Sequence, residues 1–119
     1  MQLYELEAWL GNDHELNEDQ LTQLLDEANE IEERYPDADD QPERDAALST
    51  AYQLLLGQDE VIEELARKRD AAKAAESQAL AGLRQAALML IPNESRTESG
   101  FAKQAGVDRM AVRGWLGKR

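Results

Sequence analysis

Two arginines set four residues apart, Arg109 and Arg113, are the side chains of this chain whose type and spacing best suit specific chemistry. A helix places both on one face. Each guanidinium can donate two parallel hydrogen bonds to a planar pair of acceptors. Lys103, Lys118 and Arg119 lie close by in sequence. Other candidate chemistry is thin. There is no cysteine and His14 is the only histidine, so a zinc site and a cysteine nucleophile are both excluded, and His14 reads as a surface residue beside a turn. Asp37 and Asp39 begin like a calcium loop, but Gln41 and Pro42 stand where a further oxygen ligand and a glycine are needed, and Leu48 replaces the closing glutamate. With no nucleophile paired to a base and no glycine-rich phosphate loop, neither a metal, nor a cofactor, nor an enzyme is expected.

The elements that must position the two arginines can be read one residue at a time. Pro92 stops a helix after Ile91, Asn93 to Arg96 form a loop, and Thr97 can cap a new helix whose first turn holds Glu98. Ala102 is small where that helix would be crossed by the next. Gly106 tolerates the positive φ of a tight turn, and Asp108 is placed to cap the second helix. Phe101, Ala102, Ala105, Gly106, Val107, Val112 and Trp115 supply the apolar, small and turn positions of one small core.

This run, Glu98 to Gly117, resembles the helix-turn-helix of many repressors and phage regulators, over about a sixth of the chain. The resemblance implies that the second helix lies in the major groove of double-stranded DNA, with Arg109, Met110 and Arg113 at base edges and Asp108 at the rim as a cap. Gly100 and Gly114 depart from good helix formers, and Gly114 weakens the second helix by about 1 kcal/mol relative to alanine. The unit also needs a helix to rest on. The segment from Ala79 to Ile91 is the available one, with Leu83, Ala87 and Leu90 expected to cover Phe101 and Trp115.

Upstream, apolar residues recur at helical spacing. Leu3, Leu6, Trp9 and Leu10 predict a short first helix, with Tyr4 and Trp9 expected in its core face ahead of the alternative that they anchor another chain. Asn17 with Gln20 reads as a capping box before Leu21, Leu24, Leu25, Ala28, Ile31 and Tyr35. Residues 1–35 are therefore expected to form an acidic helical hairpin, and the polar, proline-bounded residues 36–42 a linker. Residues 43–91 form either one long alanine-rich helix or, if Gly57 ends one helix and Asp59 caps the next, a helical hairpin. Uninterrupted, that helix would be about 70 Å long and would need a partner along its side. Leu65, Ala72, Ala79 and Ala86 recur every seven residues, joined by Ala75, Leu83 and Leu90, a seam that either homodimerisation or packing against the amino-terminal hairpin would satisfy. Residues 92–119 complete the chain as the helix-turn-helix.

Leucine and alanine dominate the apolar set and aromatic residues make up only 5%, which predicts an all-α, coiled-coil-like fold. Charge is divided: residues 1–65 hold 2 basic and 20 acidic side chains, whereas residues 66–119 hold 11 basic and 5 acidic. The acidic face, with Glu27, Glu30, Glu32, Glu33, Asp37, Asp39 and Asp40, reads first as solvated surface, with a basic protein partner as the sharper alternative. No window suits a membrane span and the first residues do not read as an export signal, so a cytoplasmic protein is expected. The reading that follows is a DNA-binding transcriptional or phage-type regulator, dimeric through its helical region. The alternative is an assembly adaptor without specific DNA binding. Exposed Arg109 and Arg113 would favour the first, and burial or pairing with carboxylates the second.

Overall fold

The computed structural model describes residues 1–118, and these are helical with no strand. Helix α1 spans Leu3–Leu10, α2 Glu18–Arg34, α3 Gln41–Leu55, α4 Val61–Leu90, α5 Glu98–Ala105 and α6 Arg109–Trp115. The chain divides into two compact units, Met1–Ala66 and Arg67–Arg119.

In the first unit the capping box forms as the sequence dictates. The Gln20 N–H donates to Asn17 Oδ1 at 2.8 Å, and the Asn17 N–H donates back to Gln20 Oε1 at 2.9 Å. Leu24, Ala28 and Ile31, at steps of four and three, then bury one stripe of α2 against Leu6 of α1, Leu16 of the connecting loop and Leu48 of α3. The Gln20 side-chain amide also donates to the carbonyl of Leu55 at 3.0 Å, tying the start of α2 to the end of α3. Tyr4 and Trp9 are not in this core: Tyr4 is 72% exposed, and Trp9 is exposed as well. An eight-residue helix offers one narrow stripe to its neighbours, and α1 spends it on Leu6. His14 is half-buried, its Nδ1 accepting from the Leu16 N–H at 3.2 Å.

Residues 36–42 are more ordered than a linker. They contain a 3-10 turn at Ala38–Asp40 that runs directly into α3, with Pro42 in the first turn. Arg44 secures the turn by donating to the carbonyls of Tyr35 and Asp37. The helix breaks at Gly57 and the next begins at Val61, so Glu60 rather than Asp59 precedes it. Gly57 takes φ +78°, its N–H donates to the Leu54 carbonyl, and the Gln58 N–H donates to the Gln53 carbonyl, both at 3.0 Å. This double closure satisfies the last carbonyls of α3 and needs a left-handed residue. A separate helix, α4, then begins at Val61.

Helix α4 has 30 residues, about 45 Å at 1.5 Å per residue. Val61 is buried, but every residue from 62 to 82 is exposed. In the second unit the burial resumes where the sequence calls for a supporting helix. Ala87 is fully buried with Phe101, Ala102 and Val112, and Ala86, Leu90 and Ile91 pack around them. Leu83, expected in this contact, lies outside the cluster, which engages only the last turns of α4.

Candidate nucleic-acid interface

Two turns and two side-chain caps set the positions of α5 and α6. Glu94, at φ +66°, turns the chain after α4, and the Ser95 N–H closes on the Leu90 carbonyl at 3.0 Å. Thr97 then caps α5, its hydroxyl accepting from the Gly100 N–H at 3.0 Å. This contact explains Gly100, because a Cβ there would come within 2.9 Å of that same hydroxyl oxygen. Gly106, at φ +70°, ends α5 with the Val107 N–H donating to the Ala102 carbonyl at 3.0 Å. Asp108 caps α6 by accepting from the Met110 N–H at 2.7 Å.

The seven residues read from sequence as the core of this unit come together. Phe101, Ala102 and Val112 are buried, Ala105, Val107 and Trp115 pack half-buried against them, and Gly106 forms the turn. The inward faces of α5 and α6 are thereby used, and the remaining faces are polar. Met110 is an exception, 64% exposed near the start of α6. Lys103 is exposed on α5. Arg119 lies outside the described residues.

The cations converge on a residue that sequence reading did not single out. Glu98, whose side chain is only 12% exposed, accepts from Arg113 Nη1 at 2.9 Å through Oε2 and from Lys118 Nζ through Oε1, while Arg109 Nε lies 3.7 Å from Oε2. Arg109 and Arg113 therefore differ. The Arg109 side chain remains 59% exposed, whereas that of Arg113 is 29% exposed and holds α6 to the start of α5. The signal for Glu98 in the sequence is faint: it is one of three acids after residue 92, against six bases. With three cations around one carboxylate, the cluster keeps an excess of positive charge.

The hydrogen bond from Lys118 lowers the Glu98 carboxyl below its ordinary value of 4.5, aided by its attraction to Lys118 and by Arg113, and opposed by desolvation. A depressed carboxylate adds stability above that ordinary value and loses it as pH falls through the lowered one. Glu98→Gln should therefore melt below the parent protein at neutral pH, and the gap should close under increasing acid. Melting curves from pH 7 to pH 3 check this; a gap independent of pH would refute the ion-pair role.

Among the described residues no group of His, Cys, Asp or Glu is placed to hold a metal ion, and no helix is long and apolar enough to cross a membrane. No protein-family model matches the chain, and neither a curated protein nor a solved structure matches it.

Proposed function

We propose that α5, its turn and α6 form a helix-turn-helix that binds double-stranded DNA. The chain is then a non-enzymatic transcriptional or phage-type regulator of the cytoplasm, working as a homodimer through α4. The observation that carries this reading is the division of labour in the pair. One side of both helices is used by Phe101, Ala102 and Val112, while the start of α6 presents Arg109 and Met110 to solvent beside a net positive cluster. Arg109 suits a guanine edge, and Met110 suits apolar contact with a thymine methyl group. Gly114 supports the same reading, because it lies exposed on α6 and a Cβ there would meet nothing within 4 Å. Its small size is not required by the chain's own packing and leaves room for a close neighbour.

Lys103 and Lys118 serve as phosphate contacts in this reading, and Arg113 acts first by fixing α6 through Glu98. The test is selection from a random duplex library at two salt concentrations, with Arg109→Ala alongside. This single change leaves the Arg113 and Lys118 pairs with Glu98 intact. Enrichment of a defined site, weakened roughly 5- to 150-fold in the variant, is the expected result, from the 1–3 kcal/mol of one bidentate contact. Failure of the parent protein to bind duplex at low salt would overturn the proposal.

The pairing of Arg109, Arg113 and Lys118 with Glu98 favours a second reading, an assembly adaptor whose α5–α6 pair is structural. Its partner would be a basic protein bound by the acidic residues of the first unit. Pull-down by a basic partner without duplex binding separates the two readings.

A further inference from the structure

We infer that α4 pairs with α4 of a second copy in antiparallel orientation, centred between residues 73 and 74. This pairing deepens the dimeric part of the function proposed above and rests on it. Its starting point is the exposure of residues 62–82 on every side of one helix, including Ile62 and Leu65. A helical stretch of that length gains most of its stability from a neighbour along its side. Within it, Leu65, Lys68, Ala72, Ala75, Ala79 and Gly82 alternate at steps of three and four, the spacing of a two-helix seam.

Gly82, itself one of these seam positions, is a second sign that this face is covered. Glycine inside a helix costs about 1 kcal/mol relative to alanine. Yet a Cβ at Gly82 would meet nothing within 4 Å, so the chain's own packing gives no reason for it. Close approach of a second helix does. In the antiparallel register Gly82 receives Leu65 of the second copy, and Ala72 faces Ala75, so that each large residue meets a small one.

Charge decides the orientation. A parallel pair in register would set Lys68 against Lys68 inside the seam and bring the two strongly acidic amino-terminal halves side by side. The antiparallel pair sets Lys68 against Ala79 and places Arg69 beside Glu76 of the second copy, twice by symmetry. It also holds the two Ala87 residues, each the anchor of an α5–α6 pair, about 40 Å apart along the helices. That separation is on the scale of one turn of duplex, about 34 Å, whereas a parallel pair would hold the anchors side by side.

The absence of native cysteine makes a direct test available. Leu65→Cys and Gly82→Cys chains, at exposed positions, are oxidised separately and as a mixture, without DNA. A covalent dimer in the mixture and in neither variant alone is the expected result. Cross-linking of Leu65→Cys with itself would overturn the orientation. A monomeric parent protein in sedimentation at micromolar concentration would overturn the pairing. Because no DNA is present, each result is separate from the success or failure of duplex binding.

Discussion

Phe101→Ala is expected to remove about 3–5 kcal/mol of stability and with it the folded α5–α6 pair. Phe101 is the largest of the four buried residues of its cluster, and the other three are Ala87, Ala102 and Val112. The other buried side chains are small, so refilling falls to Leu90, Ile91, Trp115 and Leu116 at the cluster's edge. Since a whole domain is usually stable by only about 5–15 kcal/mol, a unit this small has little left after such a loss. In melting experiments followed by circular dichroism, the signal of α5 and α6 should be lost far below the parent midpoint. If the proposed helix-turn-helix binds duplex, that binding should fail with it, whatever the salt. An unchanged midpoint would show that Phe101 does not hold the two helices together.

Leu24→Ala should cost about 2–5 kcal/mol in the other unit. Leu24 is fully buried where α1, α2 and α3 meet, among Leu6, Leu16, Ala28, Ile31 and Leu48. Its removal strips the first buried position of the α2 stripe, and truncation of a leucine leaves a void that its flanking residues fill only in part. The buried residues of the two clusters are different residues, so the two costs should add to within about 0.5 kcal/mol in the double variant. Strong coupling between the two changes would contradict independent cores. Chemical denaturation of the four proteins measures both the single effects and their sum.

Much of this architecture was legible because its determinants are local. Asn17 with Gln20, Thr97, Gly106 and Asp108 act within three to five residues of chain, and each forms the cap or turn that its type predicts. The helical class and the residues converging under Trp115 followed from periodicity in the same way. Gly57 could not be settled from sequence, because one glycine inside a helix costs only about 1 kcal/mol and so can be either tolerated or decisive. Tyr4 and Trp9 lie outside the core for a different reason. Periodicity tells which residues share a face, but the neighbour decides which face is covered, and α1 meets its neighbours through Leu6. Arg113 was beyond local reasoning because its partner Glu98 lies fifteen positions away, across a turn whose geometry had to be built first.

Glu98 also changes what an arriving anion would encounter. Flexible cations on a bare surface lose side-chain freedom when a ligand orders them, at about 0.5–1.5 kcal/mol each. Here a resident carboxylate has already gathered Arg113 and Lys118 and drawn Arg109 near. An incoming phosphate therefore meets cations in place and competes with an anion already there. Affinity from this corner is the difference between two similar attractions. Under the proposed function, a phosphate that reached Arg109 without dislodging Arg113 would leave α6 held in position.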